Sequence, residues 1–385
     1  MALRVLLLTQ WFEPEPTFKG LVFAKELVKQ GMEVEVITGF PNYPGGKLYP
    51  GFKIKPLQRE FVDGVKITRV ALYPSHNRSA LKRVLNYTSF AVTSFLYSFF
   101  FVRNVDVIYA YHPPLTIGIT ASLLRVLKRI PVVYDIQDLW PDTLRTTGML
   151  NNERVLSIIG KVCNQVYKRV DRIVVLSPGF KKQLIQRGVP ERKIEVIYNW
   201  SDESRLNVAL GGAPSGFPSG THFRLLFAGN MGTPQALEAV LDAAKLLMLR
   251  DVNAKLIFVG TGLMVEELKM KATDLELTNV MFYPPVPMSE ISTYLNSADA
   301  LLVHLKADEL FEITIPSKTQ AYMSVGKPIL MAVEGDAAEL VEMAGCGVMA
   351  KPEDPLAIAE AVESLVRMSP EERQEMGHRG LTYYQ

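Results

Sequence analysis

The sequence predicts an α/β protein of two domains, each built on a parallel sheet, and three observations carry that prediction. A run of buried strand, glycine-bearing loop, amphipathic helix and second buried strand occurs twice, once from Arg4 to Thr38 and again from Phe223 to Gly260. Parallel strands need a crossover of this kind, and ligands sit beyond the carboxyl ends of such strands. The densest Gly/Pro/Ser stretch, residues 201–222, lies between the two runs and reads as a linker. Finally, 385 residues with 48% apolar and 21% charged content suit a globular chain with two or three cores. The binding edges of the two sheets are expected to face one central cleft.

The elements follow in order. Arg4–Thr9 and Glu33–Thr38 are apolar runs short enough for strands, joined by an amphipathic helix that starts after Gly20. Asp63-Gly64 between two alternating segments predicts a hairpin. A strand over 105–110, a helix over 114–129, and a strand over 131–136 come next. They are followed by a helix over 153–170, a strand over 172–176, a helix capped by Ser177-Pro178, and a strand over 193–198. The second half alternates strands near 280–283, 300–304 and 328–333 with helices from 288, after Pro316, and over 337–343 and 357–368. Gly345-Cys346-Gly347 reads as a tight turn, and Ser369-Pro370 as the start of a last amphipathic helix. The domains are therefore expected at 1–200 and 223–368, with residues 369–385 as a C-terminal helix that packs back on the first domain.

Composition excludes several functions. A formal net charge of +2 makes no bulk electrostatic case for nucleic acid. Cys163 and Cys346 fall in different domains and outside any metal-ligand spacing, so a reduced, cytoplasmic protein is expected. The first strand begins within four residues of the N-terminus, so no secretory signal is expected. Residues 84–102 carry no formal charge, with Lys82 and Arg83 before them and Arg103 after. The length suits a membrane span, but Asn, Thr and Ser residues dilute it. A core helix is one reading, and a helix whose apolar part meets an anionic membrane surface is the other.

Chemistry is expected at the strand ends. Unpaired N–H groups and the helix dipole favour anions at helix N-termini. Gly20, Gly229-Asn230-Met231-Gly232 and Pro316-Ser317-Lys318 each place such a terminus after a strand or loop. Lys318 is notable because a cation in a first helical turn is disfavoured by the dipole unless an anion is near. Dinucleotide chemistry is not indicated, since Gly260 and Gly262 are followed by no third glycine at the fingerprint spacing. Asp135, Gln137 and Asp138 follow a strand, where a carboxylate can orient or deprotonate an acceptor hydroxyl; helix capping is the alternative for Asp138. His112 ends another strand and is either structural or a sugar contact, and Glu312 is placed to bind sugar hydroxyls.

The runs DLWPD in the first half, then AGNMG, FVGTG and IPSKTQAYMSVGKPIL in the second, resemble the retaining family 4 glycosyltransferases, and are most similar to bacterial enzymes of O-antigen and capsule assembly of the fucosaminyltransferase-like group. The resemblance spans essentially the whole chain. It implies the GT-B fold, two Rossmann-like domains facing a central cleft, with the donor nucleotide held by the second and the acceptor by the first. It further implies sugar transfer with retention, no bound metal, and a nucleotide-sugar donor that is UDP-linked by analogy. A polyprenyl-linked saccharide acceptor at the inner membrane face is the expected partner. Residue by residue, Gly20 matches the first-domain glycine loop, Gly229, Asn230 and Gly232 the phosphate loop, and Ser317 and Lys318 the helix start beneath the nucleotide. Three departures stand out. Gln137 occupies a position where many members have His, and Asn230 one where many have Arg. The paired glutamates are incomplete: one alignment puts Ala321 at the second, whereas a one-residue shift gives Glu312 and Gln320, with Gln320 as the ribose ligand. A UDP-sugar 2-epimerase and a non-enzymatic two-domain binding protein are the alternatives of this fold.

Overall fold

The computed structural model describes residues 2–75, 80–111, 113–206 and 212–385. Two compact units divide the chain, Met1–Tyr198 and Asn199–Gln385. In the first, the elements are β1 (Arg4–Thr9), α1 (Leu21–Lys29), β2 (Glu33–Thr38), β3 (Leu57–Val62), β4 (Val65–Val70), α2 (Ala80–Phe101) and β5 (Val107–Tyr111). They continue with α3 (Leu115–Lys128), β6 (Val132–Ile136), α4 (Asp142–Thr146), α5 (Glu153–Arg169), β7 (Arg172–Val175), α6 (Pro178–Gln186) and β8 (Ile194–Val196).

These strands form one sheet in the order β3-β4-β2-β1-β5-β6-β7-β8. Only the β3–β4 pair is antiparallel, joined by the predicted Asp63-Gly64 turn, in which both residues have positive φ. Helices cover both faces, so the central strands bury both sides and read as continuous apolar runs. Leu6, Leu7 and Leu8 of β1 are fully buried for this reason. β1 is flanked by β2 on one side and β5 on the other, so the winding reverses there. A switch point of this kind opens a crevice at the carboxyl ends of the two strands.

The second unit repeats the plan. Its elements are α7 (Glu203–Leu206), β9 (Phe223–Asn230), α8 (Glu238–Leu249), β10 (Ala254–Thr261), α9 (Val265–Asp274), β11 (Val280–Tyr283), α10 (Met288–Ser297) and β12 (Ala300–His304). After these come α11 (Glu309–Glu312), α12 (Ser317–Ser324), β13 (Ile329–Ala332), α13 (Asp336–Met343), β14 (Gly347–Met349), α14 (Pro355–Arg367) and α15 (Pro370–Tyr384). The sheet runs β11-β10-β9-β12-β13-β14, with every strand pair parallel. Its switch point lies at β9, between β10 and β12. On one face, Val240, Leu241 and Leu247 of α8 and Ile358, Val362 and Leu365 of α14 join Leu225, Phe227 and Phe258 in one core. Burying each such side chain contributes about 1.5–3 kcal/mol.

Local chemistry sets the helix ends. Ser177 Oγ accepts from Phe180 N, Asp354 from Leu356 N and Ala357 N, and Ser369 and Glu372 form a reciprocal capping box. α15 lies against α12, where Gly377 and Gly380 permit close approach to the Gly326 carbonyl and to Cys346. Three local details go beyond the sequence pattern. Gly345-Cys346-Gly347 is a turn that opens directly into β14; a side chain at Gly347 would strike the Ile329 carbonyl across the strand pair. α8 starts only at Glu238, because Thr233–Gln235 form a 3-10 turn and Ala236 is left-handed. Ser317 is the first residue of α12 and Pro316 its cap, so the seryl oxygen closes no backbone donor.

Candidate functional site

At the carboxyl edge of the second sheet, Gly229 and Gly260 are register partners at the ends of β9 and β10. Both have strongly positive φ, 131° and 143°, a region that side chains rarely enter. A Cβ at Gly260 would overlap the Gly229 carbonyl, and one at Gly262 would overlap the Met231 backbone. The glycines are thus required by the crossing of two loops, with Met231 N donating to Thr261 O at 2.8 Å. The side chain of Gln235 folds back on this loop, accepting from Gly232 N at 2.9 Å and from Asn230 Nδ2 at 3.4 Å. Gly232 therefore offers no spare amide, whereas Gly229 and Asn230 stand exposed.

Lys318 reaches this edge from the first turn of α12. Its Nζ lies 3.4 Å from the centroid of the Phe227 ring, and its Cε would be 2.8 Å from a Cβ at Gly229. Among the described residues no carboxylate pairs with it. Removal from water pushes its pKa down to about 7. The seating of α12 is fixed one turn on, where the buried Tyr322 hydroxyl donates toward Ala228 O and accepts from Ala228 N at 3.1 Å. Gln320 is buried on the same helix, and its Oε1 has no hydrogen-bond partner among the described residues. Ser317 is exposed, as is Glu312, the last residue of α11. The Glu312 backbone is held by the loop after β13, where Gly335, at φ 77°, has no room for a Cβ.

His304, which sequence reasoning did not single out, ends β12. Its Nδ1 lies 2.6 Å from Gln235 O, and its Nε2 accepts from Glu353 N at 3.2 Å. This pair of bonds defines one neutral tautomer, and burial lowers its pKa. The imidazole thus pins the 3-10 turn that carries Gln235. A buried histidine at a strand end was the signal available.

In the first unit the predicted residues separate into two roles. Asp135 is fully buried at the end of β6 and pairs with the buried Lys19 at 2.9 Å. Tyr109 Oη donates to its Oδ2 at 2.6 Å and Gln137 Nε2 to its Oδ1 at 2.5 Å. The carboxylate is engaged on both oxygens and sits inside the unit. Asp138, by contrast, is half-buried just beyond the strand, and desolvation lifts its pKa to about 6. Its charge also acts, after burial, to raise the pKa of Tyr43 and Tyr87, and contributes at Tyr111. The Tyr43 ring stacks on Trp11 with centroids 4.0 Å apart, so aromatic surface lies close to this carboxyl group.

Gly20 caps α1, but the helix terminus already has an anion. Glu13 Oε2 accepts from Leu21 N at 2.7 Å, and a Cβ at Gly20 would press on the Glu13 carboxylate. Glu15 is the second carboxylate missed by sequence. Buried beneath the loops after β1 and β2, it accepts from Phe12 N, Asn42 N and Tyr43 N, and burial lifts its pKa to about 7. No spacing in the sequence marks Glu13 or Glu15, because their partners are backbone amides, and for Glu15 two of them come from the loop after β2. His112 lies outside the described residues.

Two α/β units on largely parallel sheets, the second with glycine-lined strand ends beside a half-buried lysine, have the architecture of the GT-B fold. Solved structures share this fold over nearly the whole chain. Sucrose-phosphate synthase from Thermosynechococcus elongatus matches with a TM-score of 0.71 at 15% identity, covering 99% of this chain and 94% of that one. HepE from Anabaena, solved in complex with UDP-glucose, matches with a TM-score of 0.64 at 17% identity and the same coverages. In sequence, residues 21–200 match the glycosyl transferase 4-like domain and residues 215–382 the glycosyl transferases group 1 domain. The chain belongs to the family 4 glycosyltransferases. It is 28% identical to the putative colanic acid biosynthesis glycosyl transferase WcaI of Escherichia coli (strain K12), over 88% of this chain and 84% of that protein. The probable glycosyltransferase WbjE of Pseudomonas aeruginosa is 26% identical over 69% of this chain and 67% of its own length.

Proposed function

We propose that this glycosyltransferase moves a sugar, with retention, from a UDP-sugar to a saccharide acceptor carried on a polyprenyl diphosphate, during assembly of a bacterial surface polysaccharide such as O-antigen or capsule. The observation that carries the reading is Lys318: a half-buried cation without a carboxylate partner among the described residues, beside the exposed backbone of Gly229. Such a group is suited to a diphosphate, whose charge grows as the glycosidic bond to the donor breaks. The crystal forms of HepE with UDP and UDP-glucose support UDP as the nucleotide, and the description of WcaI supports a polysaccharide product.

In this mechanism the second unit holds the donor. Lys318 and the Gly229–Asn230 backbone bind the diphosphate, Gln320 Oε1 accepts from a ribose hydroxyl, and Glu312 binds hydroxyls of the transferred sugar. The first unit holds the acceptor. Asp138, largely ionised at neutral pH with a pKa of about 6, takes the proton of the attacking hydroxyl. Asp135 acts through others, as the buried anchor of Lys19, Tyr109 and Gln137. The anomeric C–O bond breaks, the nucleoside diphosphate leaves, and the acceptor oxygen bonds on the same face of the sugar. In this reading lysine and backbone amides neutralise the diphosphate charge, so turnover without added metal is expected. The enzyme works in the cytoplasm, at the inner face of the membrane that carries its acceptor.

A thermal-shift series with UDP, GDP, ADP and TDP, without metal and then with magnesium, tests this reading. A ligand bound only by the folded state at a hundredfold excess over Kd adds about 2.7 kcal/mol of stability. Stabilisation by UDP without metal is expected; no shift with any nucleotide would remove the donor site.

A further inference from the structure

Helix α2 is built inside out. Three of its polar side chains face the protein beside Phe90 and Tyr97: Asn86, Ser94 and Ser98 are each no more than 1% exposed. Asn86 Nδ2 donates to Tyr73 O at 2.7 Å and its Oδ1 accepts from Gln10 at 2.6 Å, while Thr93 Oγ1 donates to Ala71 O at 2.7 Å. Meanwhile Leu81, Leu85, Val92, Leu96, Phe100 and Phe101 point outward, with Leu81 70% and Phe101 67% exposed. These positions recur at helical spacing and form one stripe. An ordinary surface helix has the opposite polarity. The stripe continues onto α3, because Lys128 Nζ donates to the Ser98 and Phe99 carbonyls at the end of α2 and brings the exposed Val126 and Leu127 to the same end. Next to it, a groove of about 480 Å³ lined by Leu57, Val70, Leu96 and Phe100 widens the apolar area.

The chain that builds this face is mostly basic, and the carboxylates that reach it from elsewhere, Glu60 and Asp171, are paired with Arg69 and Arg125. Between Asp63 and Asp135 the sequence holds one carboxylate, Asp106, and Arg4 pairs with it. Lys82, Arg103 and Arg129 are exposed around the stripe. We propose that this face of α2 and α3 docks the enzyme on a bilayer leaflet rich in anionic headgroups: the apolar stripe enters the acyl boundary and the cations meet the headgroup phosphates. The bonds of Asn86, Thr93 and Lys128 to the rest of the unit keep α2 on the protein, so the helix lies in the leaflet and does not cross it. The proposal rests on the membrane-proximal reading above and names the surface that executes it.

Flotation of the full chain with vesicles tests it. The wild type should float with vesicles of equimolar phosphatidylcholine and phosphatidylglycerol, and much less with phosphatidylcholine alone. Leu96→Glu combined with Phe100→Glu should lower the partition coefficient about 100-fold, and Lys82→Glu with Arg103→Glu about tenfold on the anionic vesicles only. Both pairs are exposed, so melting temperature and UDP-sugar binding should be unchanged. Three results would overturn the proposal: no flotation of the wild type, equal flotation of the Leu96/Phe100 variant, or a wild-type dimer that this variant converts to a monomer, which would make a second copy the occupant. Resistance of the vesicle-bound protein to alkaline carbonate would make α2 a span and overturn it equally. Vesicle binding without nucleotide binding would sink the transferase mechanism and leave this surface standing, and the converse result would do the reverse.

Discussion

Donor binding should be coupled to protonation of Lys318. Burial lowers its pKa from the ordinary 10.5 to about 7, a desolvation penalty on the order of 5 kcal/mol for the charged form. A diphosphate about 4 Å away returns about 4 kcal/mol at an effective dielectric of about 20, which restores a pKa near the ordinary lysine range in the complex. The donor thus selects the protonated enzyme. Affinity is insensitive to pH below the free-enzyme pKa of about 7 and falls as pH rises through and beyond it. Between pH 8 and 9 the Kd for a UDP-sugar, whose diphosphate does not titrate there, should rise about tenfold, and binding at pH 8 should take up close to one proton. Calorimetry in two buffers of different ionisation heat reads both quantities. Lys318→Met keeps the apolar stem, abolishes proton uptake, flattens the profile, and weakens binding at pH 7 by about 10- to 100-fold, the value of a charge-assisted contact. The linked stability has the opposite sign. Between about 7 and 10.5 the unfolded chain binds the proton and the folded chain does not, so wild-type stability gains with pH and the methionine variant shows no such gain. A flat wild-type Kd between pH 6 and 9, or an unchanged slope in Lys318→Met, would refute the assignment.

Two further outcomes follow from the first unit. Asp138→Asn should lower turnover by about 10²- to 10⁴-fold and erase the loss of acceptor kcat/KM that the wild type shows below pH about 6; wild-type turnover in this variant would exclude Asp138 as the base. Lys19→Met alone leaves Asp135 buried without its cation and should cost about 3–5 kcal/mol in urea unfolding, while Lys19→Met with Asp135→Asn should recover most of it; additive losses would mean that the 2.9 Å pair is not coupled.

The two-domain α/β plan was legible because strands buried on both faces read as apolar runs, and Asp63-Gly64, Ser177-Pro178 and Ser369-Pro370 act through near neighbours. β14 was not legible: three residues are too few to show a period, and the strand exists through its pairing with β13. α4, α7 and α11 are one-turn helices that escape periodicity in the same way. Lys318 stood out as a cation at the wrong end of a helix. Its contact with Phe227 and its lowered pKa depend on residues far away in the chain, so spacing alone could not supply them.

By itself, then, the sequence determined the repeated parallel-sheet architecture, the order of its motifs and the family, since those reside in local pattern and residue identity. Tertiary structure decided what each group does there. Asp135 and Asp138 lie three residues apart in one motif, yet one is a buried counter-ion to Lys19 and the other a half-buried carboxyl group with a pKa near 6. Gly20 faces the carboxylate of Glu13, and α2, whose composition admitted a core helix, turns its apolar side outward. Burial and pairing are properties of the neighbours that folding brings together, and a one-dimensional pattern does not contain those neighbours.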